Sequence, residues 1–430
     1  MFCNQCEQTF GGVACSNGLG VCGKNADVQS LQETLLYGLK GMAAYANHAR
    51  RLGKTDESVS AFIEDALFAT MTNVNFDLDA HLEMVLECGR KNLRVMELLD
   101  EGHVERYGDP SPSTVREGTV AGPGILITGH DMVDLEHLLK CCEGTDVKVY
   151  THGEMLPAHM YPRLREHPNL AGHFGGAWQK QRQEFDAFPG PVVATTNCIL
   201  IPKASYADRV FTTRVTAVPG GTRIMDEDFS AVVAKARQCP ALPDAPGTTS
   251  TVGFHHNVIL GLASTIVQAV KDGKIRRFFV IGGCDGAEPG RNYFSDYAQA
   301  TPPDSFILTL GCGKFRIRNH DYGTLLGLPR LLDMGQCNNA YGAIKVAVGL
   351  AEAFGCSVND LPLTLVVSWF EQKAVAVLLT LLALGVKKIT IGPKPPAFVS
   401  PNVFKVLQEK FDLRLTGRSA VDDLAVAMAG

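Results

Sequence analysis

The sequence predicts a multidomain α plus α/β protein. An N-terminal cysteine loop and a three-helix bundle are followed by two Rossmann-like α/β domains with mainly parallel sheets. Two observations predict this class. Segments with helical apolar periodicity occupy the chain up to about residue 117, and short apolar runs alternate with helical stretches beyond it. Continuous apolar strands that alternate with helices are typical of parallel sheets covered on both faces.

The N-terminal part consists of a Cys- and Gly-rich segment up to about residue 26 and three helical segments. In the first helix, Ser30 and Glu33 have the spacing of a capping box. The second helix covers roughly residues 57–72. The third follows Asp77, which is placed as an N-cap, and its apolar positions recur at helical spacing. Three helices with short links predict an antiparallel bundle, so the predicted first domain is 1–117.

The remaining chain contains the apolar runs that predict strands: GILITG, VKVYT, PVVATT, RFFVIGG, SFILTLG, TLVVSW and KITIGP. The segment ARQCPALPDAPGTTSTVG lies between the third run and the fourth, and its Pro, Gly and Thr content is typical of a domain boundary. The predicted α/β domains are therefore 118–240 and 241–430.

Charge and hydropathy exclude several classes of partner. The formal net charge of -5 offers no basic surface for nucleic acid and no polybasic signal for a membrane. The longest apolar run, AVAVLLTLLALGV from Ala374, is too short to span a bilayer and predicts a helix buried on all sides. The start, MFCNQCEQTF, lacks the charged and apolar segments of a secretory signal, so we expect a cytoplasmic protein.

The first cysteine group consists of Cys3, Cys6, Cys15 and Cys22, which can surround one cofactor. Zinc ribbons usually carry two tight Cys-x-x-Cys pairs, and only the first pair here is tight. A Gly-rich loop that donates backbone N–H groups to sulfur fits an iron–sulfur cluster better, with zinc or no metal as the alternatives. Residues 18–23 match the dinucleotide-binding fingerprint, but no strand precedes them, so we reject that interpretation.

Metal-ligating residue types follow the predicted strands. In chain order they are His130, Glu154, Cys198, Cys284, Cys312, Cys337 and Glu371, with Lys373 two residues beyond the last. The carboxyl ends of strands in open α/β sheets line the crevice where ligands bind. Singly, each residue has a plain explanation, since a free cysteine is often a small buried hydrophobe and a glutamate an ion-pair partner. Seven at equivalent positions predict a shared site.

The mixture of ligand types constrains the chemistry of that site. Thiolates suit iron–sulfur iron, whereas carboxylate and imidazole suit harder iron with more oxygen around it. A site that holds both would be a cluster with sulfur on one side and oxygen on the other. Such a cluster leaves iron positions open to a small substrate.

The motifs CNQC, GHDMVDLEHLL, YTHGEMLPAH, TTNCI, GGCDGAEPGRNYF, LGCGKFR, LLDMGQCNNAYGA and SWFEQKAV occur in this order. They closely resemble those of the hybrid cluster proteins, also called prismane proteins or hydroxylamine reductases, over essentially the whole chain. Longer members have a second helical bundle before the α/β domains. Only about 20 residues separate the third predicted helix from GILITG, so the chain resembles the short form of the family.

The resemblance implies two clusters. Cys3, Cys6, Cys15 and Cys22 match the motif that binds a [4Fe–4S] cluster, and the seven strand-end residues match the ligands of a hybrid [4Fe–2O–2S] cluster. Lys373 matches a residue beside that cluster, and Cys284 matches a cysteine found as a persulfide. We interpret the glycines before Cys284 as room for the extra sulfur.

The implied activity is the reduction of hydroxylamine to ammonia and water, with electrons from an external donor protein. Glu371, Lys373 and Cys284 are the candidate catalytic residues, and His152 is a further proton source by sequence proximity. Reduction of nitric oxide in nitrosative-stress defence is one alternative, and a redox sensor or protein S-nitrosylating factor is another. Chemistry like that of carbon monoxide dehydrogenase ranks last, because no nickel-specific feature is present. We expect a monomer or homodimer.

Overall fold

Three long helices follow the N-terminal loop in the computed structural model, which describes residues 1–429. They are α1 (Ala26–Arg51), α2 (Glu57–Ala69) and α3 (Leu78–Tyr107). The predicted N-cap of α3 is confirmed, because the Asp77 carboxylate accepts a hydrogen bond from the Ala80 N–H at 2.9 Å. The predicted capping box is wrong. Asn25 caps α1 instead, and Ser30 is buried inside the helix, where its hydroxyl accepts from the Ser400 N–H at 2.8 Å.

A parallel sheet of six strands comes next. The strands of this part are β1 (Ser113–Thr119), β2 (Gly124–Thr128), β3 (Lys148–His152), β4 (Leu170–His173), β5 (Val192–Ala194), β6 (Val210–Thr213) and β7 (Thr222–Ile224). The sheet has the order β4-β3-β2-β5-β6-β7. β1 stays outside it, and among residues 108–123 it is the one regular element. The stretch between α3 and β2 therefore contains no helix.

The second parallel sheet also has six strands. The strands of this part are β8 (Ala245–Val252), β9 (Arg277–Gly283), β10 (Ser305–Thr309), β11 (Thr324–Leu325), β12 (Leu328–Pro329), β13 (Leu331–Asp333), β14 (Leu363–Ser368), β15 (Ile389–Gly392) and β16 (Arg414–Leu415). The order is β13-β10-β9-β14-β15-β16. β8 pairs with β1 in an antiparallel ribbon, and β11 with β12 in a short one. The predicted fold class is confirmed, while the boundaries at 117 and 240 stay predictions.

Twelve further α-helices among residues 1–429 connect and cover these strands. They are α4 (Met132–Cys142), α5 (Pro162–Arg165), α6 (Gln181–Ala187), α7 (Ser230–Gln238), α8 (His256–Leu260), α9 (Ala263–Lys271), α10 (Asn292–Ala300), α11 (Lys314–Ile317), α12 (Ala340–Phe354), α13 (Gln372–Ala383), α14 (Pro401–Phe411) and α15 (Ala420–Ala429). Within the described chain, no helix combines the length and the apolar character that crossing a bilayer requires.

Helix α13 lies against α1 and α3, and glycines on both helices allow the close contact. A Cβ at Gly41 of α1 would lie 2.5 Å from the Gln372 carbonyl oxygen. A Cβ at Gly89 of α3 would lie 2.1 Å from the Leu379 carbonyl oxygen. The prediction that this apolar segment is buried on all sides is wrong at its end, since Leu384 is 43% exposed. The glycines fix α13 and, with it, the residues at its first turn.

We expect Gly89→Ala to lower the free energy of unfolding by about 1–3 kcal/mol, because the new methyl group overlaps the backbone of α13 and outweighs the better helix propensity of alanine. Urea and thermal unfolding of the purified protein measure the change. Gly18→Ala is the matched control, since a Cβ there meets no atom within 4 Å. Equal stability of the two variants would contradict the proposed backbone contact.

Candidate metal centres

The four N-terminal cysteines line one small cavity in the loop before α1: Cys3, Cys6, Cys15 and Cys22. The backbones of Cys3 and Cys15 pair through two hydrogen bonds of 3.1 and 2.8 Å. Backbone N–H groups of Phe10 and Val21 lower the pKa of Cys15, which favours its thiolate. Residues 18–23, with the dinucleotide-like pattern, lie in this loop, and no strand precedes them.

The seven strand-end residues lie where the carboxyl edges of the two sheets meet. His130 follows β2, Glu154 follows β3, and Cys198 follows β5. Cys284 follows β9, Cys312 follows β10, Cys337 follows β13, and Glu371 follows β14. Most are buried, whereas Cys198 and Glu371 are partly exposed. Cys198 also has a left-handed backbone, with φ 67°.

Direct contacts tie the two halves of this group together. One ligand atom each of His130, Glu154 and Cys337 lies within 4.8 Å of the other two. The Cys337 N–H donates to Glu154 Oε2 at 2.9 Å. The other carboxylate oxygen, Oε1, is buried and has no hydrogen-bond partner. Cys284 Sγ lies 3.7 Å from Glu371 Oε1. An unpartnered buried oxygen beside thiols and an imidazole fits a metal ligand.

Lys373 lies in the first turn of α13 and reaches the same group. Its side chain is 2% exposed, and Nζ donates to His130 Nε2 at 2.9 Å and to Asn197 Oδ1 at 3.0 Å. Glu371 caps the helix by accepting from the Lys373 N–H, and its Oε1 lies 3.9 Å from Nζ. The lysine therefore places one charge between an imidazole and a carboxylate of the candidate site.

A match to known proteins bears on these two centres. The chain matches the family described as Prismane/CO dehydrogenase over residues 1–85 and 78–425. It is 59% identical over 414 residues to the hydroxylamine reductase of Moorella thermoacetica, covering 96% of this chain and 97% of that protein.

The chain belongs to the prismane/CO dehydrogenase family.

The similar proteins include one of nearly the same length as this prismane-family chain and others that are longer. It is 55% identical to the hydroxylamine reductase of Rhodospirillum rubrum, covering 94% of this chain but 74% of that protein. In fold it is similar to a nickel-free carbon monoxide dehydrogenase from Thermococcus sp. AM4, with a TM-score of 0.80 at 16% identity, covering 100% and 90% of the two chains. An acetyl-CoA synthase/carbon monoxide dehydrogenase with NiZn[Fe4S4] and NiNi[Fe4S4] clusters has a TM-score of 0.78 at 13% identity, covering 99% of this chain and 86% of that chain. The predicted family is confirmed, and an iron–sulfur cofactor is supported.

Three neighbours of the strand-end site escaped sequence reasoning. The Tyr45 hydroxyl donates to Cys337 Sγ at 3.1 Å. The Asn197 side-chain oxygen accepts a hydrogen bond from the Lys373 ammonium group. The Gln336 side-chain amide donates to the backbone oxygens of His130 and Glu154 at 3.1 and 2.6 Å. Asn197 and Gln336 each directly precede a predicted cysteine ligand, so their position in the sequence could have marked them as neighbours of the site. Tyr45 lies on α1 and gave none.

Burial disfavours the deprotonated, negatively charged form of the cysteines at this site. It raises the pKa of Cys284 and Cys312 well above the usual range, and that of Cys337 to about 11. Burial also raises the pKa of Glu154 to about 7, although the Lys314 charge opposes it. Thiolate and carboxylate forms therefore need added positive charge, which bound metal supplies, and binding releases protons. The donor set of this prismane-family site fits an iron–sulfur–oxygen cluster.

The glycines before Cys284 serve close packing of the sheet. A Cβ at Gly282 would lie 2.7 Å from the Leu310 carbonyl oxygen, and one at Gly283, with φ 100°, would lie 2.3 Å from the Ser368 carbonyl oxygen. This contact accounts for both glycines without an extra sulfur. The persulfide at Cys284 stays a prediction.

His152, the further candidate proton source, is engaged elsewhere. Its Nδ1 lies 3.0 Å from Thr128 Oγ1, and its Nε2 lies 2.9 Å from Glu184 Oε2. No hydrogen bond joins His152 to the seven strand-end residues within the described chain. Lys373 and Glu371 are thus better placed than His152 to exchange protons at the site.

Proposed function

We propose that this chain is an iron–sulfur oxidoreductase that reduces hydroxylamine to ammonia and water. One observation carries the proposal: buried Cys, His and Glu side chains converge between the two sheets with a lysine among them, and Glu154 has an unpartnered oxygen there. Two relatives that are 59% and 55% identical to the chain over the aligned residues are named hydroxylamine reductase. Those names favour a reductase over a redox sensor.

The residues that would hold the cofactors form two sets. Cys3, Cys6, Cys15 and Cys22 would hold a [4Fe–4S] cluster. His130, Glu154, Cys198, Cys284, Cys312, Cys337 and Glu371 would hold the hybrid [4Fe–2O–2S] cluster, with Cys284 as a persulfide. Bound there, the clusters would supply electrons and a Lewis-acidic iron for the substrate.

The reaction consumes two electrons and two protons per hydroxylamine, and side chains of this chain would donate the protons. Burial by itself lowers the pKa of Lys373, but Cys337 and Glu371 outweigh it and raise the pKa above its usual range. Lys373 therefore holds a proton on Nζ at neutral pH. Burial and the Lys373 charge lower the pKa of His130 well below its usual range, so its ring is neutral and fit to ligate. Lys373 is our candidate proton donor, with Glu371 beside it.

A second candidate substrate is nitric oxide, and one observation favours it. A cavity of about 240 Å³ lined almost entirely by apolar side chains reaches Cys284 and Cys337 from between α12, α13 and the second sheet. Val377, Leu378 and Leu381 of α13 contribute to its wall. Such a wall suits a small, weakly polar gas better than it suits a hydrogen-bonding substrate.

The external electron donor would be a separate protein, and the chain would act as a monomer or homodimer in the cytoplasm.

The first test is the metal content of anaerobically purified protein. We expect about eight irons per chain and clearly fewer acid-labile sulfides than irons, as one cubane and one oxygen-containing cluster require. Iron and sulfide are measured chemically on the same sample. About four irons with matching sulfide would leave the strand-end site without a cluster. Zinc with little iron, from iron-replete cells, would refute the proposal as a whole.

The second test separates the two substrates. We expect faster turnover of hydroxylamine than of nitric oxide with the same chemically reduced donor, and one ammonia formed per hydroxylamine consumed. Ammonia and remaining substrate are quantified anaerobically. A higher kcat/KM for nitric oxide would make it the substrate instead, and turnover of neither would contradict a reductase.

A further inference from the structure

A buried triad of metal-ligating residues lies outside both candidate cluster sites. Asp100 of α3 and the neighbouring residues His255 and His256 each offer one ligand atom, and the three atoms lie within 4.8 Å of one another. The three residues are 5%, 1% and 6% exposed. We propose that this triad binds one divalent transition-metal ion, which joins the N-terminal bundle to the start of α8.

The donor set is one that such ions prefer. Two imidazoles and one carboxylate with open positions are typical of zinc and of non-haem iron sites. Asp100 Oδ1 and His255 Nε2 already lie 2.8 Å apart.

Unpartnered nitrogens point to a missing ligand. Nδ1 of His255 and Nδ1 of His256 are both buried, and neither has a hydrogen-bond partner. Buried polar groups normally have hydrogen-bond partners, so unpartnered nitrogens on two adjacent imidazoles call for an explanation. The ring centroids of the two histidines lie 3.9 Å apart. A plain Asp100–His255 ion pair accounts for Nε2 of His255 but leaves Nδ1 of His256 without a partner, which a bound ion would supply.

The backbone holds the triad in place from three directions. The N–H groups of Gly253 and Phe254 donate to the Asp333 carbonyl at 3.1 and 2.9 Å, which ties the histidine segment to the end of β13. Asp100 is fixed by the long helix α3. On α12, Gly342 lacks a side chain where a Cβ would lie 3.2 Å from His256 Nδ1, so space remains beside that nitrogen.

Burial of the donor groups agrees with metal binding. Both histidines are almost fully buried beside the Asp100 carboxylate, where two imidazoles and one carboxylate meet. The triad uses none of the residues proposed to hold the clusters, so its metal content is independent of the proposed reaction.

The test adds Zn²⁺ to the anaerobically purified holoprotein, removes the excess by desalting, and measures zinc per chain. We expect wild-type protein to keep about one zinc ion more than Asp100→Asn or His256→Gln. His159→Gln is the matched control, because His159 is equally buried but lies outside the triad. Equal zinc in the wild type and both triad variants, or the same loss in His159→Gln, would overturn the proposal.

A second measurement uses crystals of the wild-type protein, so it does not depend on whether the variants fold. Anomalous scattering at the zinc edge should place one peak among Asp100, His255 and His256 after soaking in Zn²⁺. A peak at the iron edge there, without added zinc, would identify the ion as iron and also support the site. No anomalous peak at the triad under either condition would refute it.

Discussion

Replacing Lys373 with methionine is expected to lower kcat for hydroxylamine about 10²–10⁴-fold, the range typical of losing a positioned acid–base group. Nζ is buried and contacts His130 Nε2 at 2.9 Å, and Glu371 Oε1 lies 3.9 Å away. Methionine has a similar length but neither a charge nor a proton to give. The measurement is the steady-state rate of ammonia formation at saturating hydroxylamine by protein with matched iron content. Unchanged kcat would exclude Lys373 as the proton donor.

Lys373→Arg separates the charge of this residue from its proton. Arginine keeps the positive charge beside the thiols but does not deprotonate at neutral pH. If proton donation is the role, Lys373→Arg should be almost as slow as Lys373→Met while retaining normal iron content. If the arginine variant recovers most of the wild-type rate, the charge alone is what the site needs, and another group delivers the protons.

The positions of the strand-end residues were predictable because chain topology decides them. Parallel strands end at a common edge, so a cysteine after β9 and another after β10 must lie near each other whatever the loops do. The same reasoning brought His130 and Glu154 together after β2 and β3. A motif that places a candidate ligand at the end of a strand therefore predicts, from local sequence alone, a site built from distant parts of the chain.

Contacts made across the fold were not predictable in this way. Tyr45 donates to Cys337 from a helix that is 292 residues away in sequence. Nothing in the periodicity of α1 distinguishes this tyrosine from other buried positions. The buried triad was equally unpredictable from sequence, because Asp100 lies within a helix. Only the packing of α3 against the segment before α8 brings Asp100 to the two histidines. Sequence reasoning also placed a capping box at Ser30 and Glu33 inside the first helix, whereas Asn25, which lies among the cysteine-loop residues, caps α1.

Glu154→Gln tests the carboxylate side of the strand-end site. The substitution preserves the size of the side chain but removes the anionic oxygen that stands buried and unpartnered at Oε1. We expect an altered electron paramagnetic resonance signal from the hybrid cluster and at least about a 10-fold loss of turnover, because even residues that only support a metal ligand affect activity by that much. The signal from the N-terminal cluster should stay unchanged.

Glu136→Gln is the control for Glu154→Gln, because Glu136 is a half-buried glutamate that pairs with Arg106 and Lys140 and touches neither site. It should keep the wild-type spectrum and rate. A Glu154→Gln spectrum identical to the wild type would remove Glu154 from the ligands. The harder, oxygen-rich side of the cluster would then rest on Glu371 and His130 alone, and the argument from mixed ligand hardness would lose one of its two carboxylates.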